Sequence, residues 1–262
     1  MKCHFISGLP RSWSTLLSAI LRQNPRFHAS MSGPMASMVD HTLEQMSGRN
    51  EFSSFISNDQ RKNIIHGLFN GYYKTIDKPV IFDTNRSWCV KIDLLADLFP
   101  ESRMIACVRH IPWIIDSIER YAVKNPYQPS LIYDYKSGGT VYMHVNNVTG
   151  PLGLVGYALD ALRQAVHGMQ ASRLMLVQYE SLVDNPGMVM EEIYKFIGQD
   201  AFQHDFNNVH QETVSYDEKM GAPGLHSVLM VCMAMCKLRW EVFARIKPDQ
   251  PPFCAKHGCK PT

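Results

Sequence analysis

A short apolar stretch, Cys3-His4-Phe5-Ile6, runs directly into Ser7-Gly8-Leu9-Pro10-Arg11-Ser12-Trp13-Ser14-Thr15-Leu16-Leu17. This junction constrains the fold more than any other part of the chain. Residues 2–7 read as a short buried strand. Leu16, Leu17, Ile20 and Leu21 then recur at helical spacing over 14–23, and Asn24-Pro25 ends the run. A strand that passes through a glycine-containing loop straight into a helix is the opening half of a parallel crossover. Sheets built that way are covered on both faces.

The alternation continues along the chain. Strands are expected over 79–82, 103–108 and 174–178, and helices over 59–74, 90–99, 111–123, 154–170 and 187–197. Residues 26–50, rich in Met, Ser and Gly, are expected to form loop with a short helix. Residues 125–150, with Pro126, Pro129, Gly138, Gly139 and Gly150, read as a long surface insertion. From about 200 onward the pattern is hard to read. The expected fold class is α/β: a P-loop-like three-layer fold with a central, mainly parallel sheet and helices on both faces. With 262 residues and 45% hydrophobic content, the chain can bury a large core as one domain, 1–262, carrying the 125–150 insertion and a less certain segment at 200–262.

The loop itself looks made for an anion. A nucleoside-triphosphate loop has glycine, four residues, glycine, lysine, then serine or threonine. Gly8 and Thr15 fit the ends of that pattern. Trp13 stands at the second glycine and Ser14 at the lysine. Without a lysine to reach the outer phosphates, ATP or GTP hydrolysis is disfavoured. Ser12, Ser14 and Thr15 still offer hydroxyls, Arg11 offers a guanidinium, and the helix start offers free N–H groups. A capped turn beside a surface arginine is the plain alternative. Two further elements lie just past strands: Arg109, with Ser117 in the following helix, and Gln178-Tyr179-Glu180-Ser181-Leu182. In open α/β sheets that end of the strands is where ligands bind.

Taken together, SGLPRSWSTLL, RMIACVRHIPWIIDSIER and LMLVQYESLVDNP resemble the sulfotransferases that use 3′-phosphoadenosine 5′-phosphosulfate (PAPS), in order and spacing, over roughly 3–200. The likeness is greatest to bacterial-type members whose loop reads GLPRSGST. The resemblance implies an enzyme that moves the sulfuryl group of PAPS to a hydroxyl, or an amine, of a small-molecule or peptide acceptor. Adenosine 3′,5′-bisphosphate is the other product, and no metal is required. It implies that Arg11, Ser12, Trp13, Ser14 and Thr15 form the phosphosulfate loop, with Arg11 also neutralising charge on the leaving oxygen. Arg109 and Ser117 are implied to bind the 3′-phosphate, and Tyr179 the adenine region. Gly224, Leu225 and His226 are implied to close over the 3′-phosphate, although a Pro-Gly surface turn explains them as well.

Three departures from the family pattern stand out. Trp13 replaces a glycine, which is costly if the backbone needs positive φ there. His110 replaces an aspartate. Ile81-Phe82-Asp83-Thr84-Asn85-Arg86-Ser87-Trp88 stands where another branch carries Lys-Thr-His. Asp83, just beyond a strand, is the first candidate for the general base, with His28 and His41 behind it; Arg86 is a candidate support for the sulfuryl oxygens. A carboxylate at 83 could equally orient Arg86 or cap a turn.

Formal net charge is +2, too small to imply a nucleic-acid or membrane partner. The longest apolar run, 228–236, is too short to span a bilayer. No secretory leader is read ahead of the first strand, and seven cysteines form no evident disulfide framework. A reducing, cytoplasmic location is therefore expected. Cys254, His257 and Cys259 crowd the C-terminus but read as an uncoordinated tail, so no metal site is expected. Two alternatives stay open: a nucleotide-binding protein that has lost catalysis, and a small-molecule kinase of P-loop ancestry.

Overall fold

Five short runs with almost no polar alternation make the centre of the protein: β1 (Lys2–Gly8), β2 (Phe27–Ala29), β3 (Val80–Thr84), β4 (Met104–Val108) and β5 (Leu174–Gln178). They pair in the order β2-β3-β1-β4-β5, every pair parallel. The computed structural model describes residues 2–124 and 140–209. Successive side chains of a strand point to opposite faces, and both faces are apolar. Cys3, Phe5, Ile81, Met104 and Ala106 join one core; Ile6, Val80, Phe82, Ile105 and Cys107 join the other.

Helices cover each face. On the second face lie α1 (Ser14–Leu21), α8 (Tyr179–Asp184) and α9 (Pro186–Ile197). The first face carries α2 (Met35–Gln45), α3 (Asn58–Tyr72), α4 (Ile92–Leu98), α5 (Ile111–Lys124), α6 (Val141–Thr149) and α7 (Leu154–His167). The local signals are ordinary ones. Ser57 and Gln60 make a capping box at the start of α3, Pro186 opens α9, and Gly198 ends it in the left-handed conformation. Helix α1 is unusual: Thr15 to Leu21 are all buried, so the loop that precedes it is held by a fixed element.

The expected three-layer α/β fold is therefore present. Two local readings change. Phe27–Ala29, expected as loop, is a strand; three residues paired to β3 at an edge are too few to show a sequence period. Within the expected insertion, Val141–Thr149 is a helix, capped by Thr140, whose side chain accepts from the Met143 N–H. It buries Val148 and packs beside α5 and α7. Residues 125–139 and 210–262 lie outside the described residues, and with them most of the C-terminal segment. Cys3, Cys89 and Cys107 are free and buried.

The connection after β1 leads to one side of the sheet, towards β2, whereas the one after β4 leads to the other, towards β5. Such a reversal opens a crevice at the carboxyl ends of the two neighbouring strands. Gly8 makes the crevice possible. Its φ is +114°, and a Cβ there would overlap the Cys107 carbonyl of β4. Gly8→Ala is expected to lose about 2–4 kcal/mol, from forbidden backbone plus a backbone clash. Urea unfolding measures this, and a curve superimposable on wild type would contradict it.

Candidate active site

The loop between β1 and α1 is tied down on every side. The Cys107 carbonyl accepts from the Leu9 N–H at 2.8 Å and from the Ser12 hydroxyl at 3.0 Å. Ser12 Oγ also lies against the Leu9 carbonyl. The Ser7 hydroxyl donates to the Arg86 carbonyl at 2.8 Å and accepts from the Cys89 N–H. Ser18 Oγ of α1 pairs with Thr84 Oγ1 of β3 at 3.2 Å. The Ser12 hydroxyl is thus spent inside the loop, so the ligand contact expected of it is not available from that group in this conformation. Ser14, half-buried, and Thr15, buried, begin α1. Trp13, at its N-cap, makes no side-chain cap bond, and no acidic residue occupies its first turn. Its first N–H groups therefore open onto the crevice with the favourable end of the helix dipole.

Two non-glycine residues of the loop are left-handed: Arg11 at φ 56° and Trp13 at φ 66°. Trp13 thus meets the demand for which other loops of this pattern use glycine. The cost is about 1–2 kcal/mol. It is offset by packing, because the indole sits edge-on to the Tyr179 ring, centroids 4.9 Å apart, and against the α1 core. An aromatic pair of this kind contributes about 0.5–1.5 kcal/mol beyond burial.

Arg109 leaves the end of β4 and lies with its guanidinium carbon 4.0 Å from the Tyr179 ring centroid. Its Nη1 donates to the Arg11 carbonyl at 3.2 Å, and Arg11 Nε donates to Ser117 Oγ of α5 at 3.0 Å. Arg11, Arg109, Ser117, Tyr179 and Trp13 therefore form one cluster rather than two separated ends. Arg109 Nε is buried with no hydrogen-bond partner among the described residues. A buried, unmade donor on a cation is an expensive state, and an anion in the crevice would satisfy it. Burial lowers the Arg109 pKa, with Tyr179, Glu180 and Asp116 opposing it; a guanidinium keeps its charge regardless.

Asp83 has a different setting. It lies on the face of β3 that meets α3 and is completely buried. Oδ2 accepts from the Tyr73 hydroxyl at 2.5 Å and Oδ1 from Trp88 Nε1 at 2.8 Å. Burial raises its pKa, against the pull of those two bonds. A general base must reach the proton it removes, and in this conformation both oxygens are spoken for. Arg86 is exposed at the start of a 3-10 turn over Arg86–Lys91, and its carbonyl holds Ser7. His28, half-buried, stands edge-on to Tyr73 with its pKa lowered by burial. His41 is exposed on α2, its Nδ1 2.7 Å from the Ser37 carbonyl. Gly224, Leu225 and His226 lie outside the described residues. Among the described residues no group of acids, histidines and cysteines could hold a metal, and no helix is long and apolar enough to cross a membrane.

Sequence reasoning passed over the residues that fix the site rather than face it: Ser7, Gly33, Tyr73, Asn85 and Trp88. Only Asn85 had a legible signal, as a cap two residues before Ser87, whose N–H its side chain accepts.

Comparison with known proteins bears on the family and the fold. A family model described as "Sulfotransferase family" matches residues 4–204. The sulfotransferase domain from the curacin biosynthetic pathway superposes with a TM-score of 0.53 at 16% identity, covering 77% of this chain and 75% of that one. A sulfotransferase from Alicyclobacillus acidocaldarius superposes with a TM-score of 0.50 at 12% identity, covering 95% of each chain. At such identities the two structures speak for the fold alone. No curated protein matches the chain by sequence.

The buried carboxyl sets a pH test. Because its folded pKa is raised, Asp83 contributes most below its ordinary value of 3.8, and that contribution is lost as pH climbs through the folded value. An uncharged amide has no such loss. Asp83→Asn is therefore expected to gain stability relative to wild type between about pH 4 and pH 8, read by urea unfolding at both. A difference independent of pH would refute the raised pKa.

Proposed function

This chain belongs to the sulfotransferase family, and we propose that it moves a sulfuryl group from PAPS to a hydroxyl, or an amine, of a small-molecule or peptide acceptor. Adenosine 3′,5′-bisphosphate is the second product. One observation carries the reading. Arg11, Arg109 and the uncapped start of α1 share the crevice between β1 and β4, with a buried guanidinium donor unused.

The residues suit such a donor. The α1 N–H groups, Ser14 and Thr15 would receive the 5′-phosphosulfate, with Arg11 beside them. Arg109 and Ser117 would receive the 3′-phosphate, and Tyr179 the adenine side. Each charge-assisted bond contributes about 1.5–3 kcal/mol. When bound, PAPS supplies a sulfuryl group already activated by its anhydride link to phosphate. The protein's part is then to align the acceptor oxygen, sulfur and leaving oxygen, and to hold positive charge where negative charge grows. Arg11 suits the second task at the bridging oxygen, and Arg86, exposed beyond β3, could support the sulfuryl oxygens. The loop lacks the lysine of nucleoside-triphosphate enzymes, which weighs against ATP as donor.

A second reading, nucleotide binding without transfer, is favoured by the occupied oxygens of Asp83. It differs in one outcome: an acceptor screen with labelled PAPS would give binding but no labelled product.

Calorimetry with adenosine 3′,5′-bisphosphate tests the main reading. Wild type should bind, and Arg109→Ala should bind about ten- to a hundredfold more weakly, from the loss of ~1.5–3 kcal/mol. A folded wild type that takes up none of the nucleotide would overturn the proposal.

A further inference from the structure

Trp13 is hard to explain by contact with a ligand alone. It occupies a left-handed backbone position that glycine would fill without steric cost. Its side chain makes no cap bond to α1, and an indole carries no charge and one N–H donor. The indole edge instead meets the Tyr179 ring at 4.9 Å, interplanar angle 77°. The Tyr179 ring in turn lies under the Arg109 guanidinium at 4.0 Å. A guanidinium is planar and carries all its N–H donors in that plane, so a ring over its face leaves them free to point outwards. Tyr179 thus bears on one face of the Arg109 head group, and the bond from Nη1 to the Arg11 carbonyl ties one of its ends. With that face and that end held, the unpartnered Nε has a set direction.

Tyr179 needs a brace of its own. It is the first residue of α8, a helix of only six residues, and it is half-buried. Trp13, itself packed against the α1 core, is the aromatic ring whose edge it meets among the described residues. We infer that Trp13 is a positioning residue: it holds Tyr179, which holds Arg109 in the orientation that discriminates a nucleotide bearing a second phosphate from one without it. The inference rests on the donor-site reading given above. It also accounts for tryptophan at a strained position, since glycine would leave the Tyr179 ring unsupported.

Two measurements on the full chain test it. The first is the ratio of dissociation constants for adenosine 5′-phosphate and adenosine 3′,5′-bisphosphate, by calorimetry. Trp13→Gly is expected to lower this ratio by about tenfold (~1.4 kcal/mol) with only a small change in melting temperature, because the relieved backbone strain and the lost indole packing oppose each other. Tyr179→Leu should lower it similarly, and the double variant no further, as expected for groups acting in series. Trp13→Phe, which keeps an aromatic edge, should recover most of the ratio. A merely structural role would shift both constants together and leave the ratio alone, and that result would overturn the inference. The second measurement needs no nucleotide. The Arg109 Nε–H proton, assigned by its absence in Arg109→Lys, should resonate upfield through the Tyr179 ring current and return towards the ordinary arginine position in Trp13→Gly. An unchanged resonance would refute the brace. If wild type shows the upfield proton and its loss in Trp13→Gly yet binds neither nucleotide, the brace stands, while the donor reading and the discrimination assigned to Trp13 fail.

Discussion

One carbonyl governs the geometry of the crevice. The Cys107 oxygen, at the end of β4, accepts from Leu9 and Ser12 of the neighbouring loop. It can do so only because Gly8 has no Cβ, since any side chain there would occupy the space of the Cys107 backbone. The loop is therefore fastened across the point where the sheet reverses direction. Everything that faces the crevice is placed by that fastening: the start of α1, the Arg11 carbonyl that holds Arg109, and the indole that meets Tyr179. A looser loop would keep the same residues and lose their mutual distances.

A loop so held can manage without a lysine. A lysine brings a mobile point charge on a flexible stem. Here the positive charge comes from two guanidinium groups joined through a backbone carbonyl, together with helix N–H groups that the N-cap side chain does not bond. The arrangement stores strain, with Arg11 and Trp13 both left-handed, at about 1–2 kcal/mol each. Buried packing around α1 and Tyr179 offsets that strain, which explains why the loop sits on the most enclosed helix of this face rather than on an exposed one.

What the sequence made legible follows from how local each signal is. Strands buried on both faces, such as Met104–Val108, announce themselves as unbroken apolar runs. The cluster of Arg11, Arg109 and Ser117 was readable because each lies a fixed short distance past a strand end, and parallel pairing brings those ends together. The edge strand Phe27–Ala29 left no period to detect, and the cap at Thr140 sat in a stretch dominated by proline and glycine upstream. The contact between Trp13 and Tyr179 spans most of the chain and depends on side-chain direction, which no spacing encodes. The same holds for Asp83. Its position beyond an apolar run was visible, but the two donors that claim it come from Tyr73 at the end of α3 and Trp88 in a 3-10 turn.

That claim changes what Asp83 does for the site. Gly33 passes so close to its carboxylate that a Cβ would lie 3.2 Å from Oδ2. The same segment is bonded to β3 through the Gly33 N–H on the Thr84 carbonyl and Asn85 Nδ2 on the Gly33 carbonyl. The carboxyl thus sits beneath the chain that leads from β2 into α2 and holds Tyr73 and Trp88 there. A buried polar network is stable only when each member is satisfied, and here the acid satisfies two donors that would otherwise be stranded in the core. Removing it would leave both donors unpaired beneath that wall as well as deleting a carboxylate. A loss of transfer in an Asp83 variant therefore identifies a base only if the position of that wall, reported by the Trp88 environment, is unchanged.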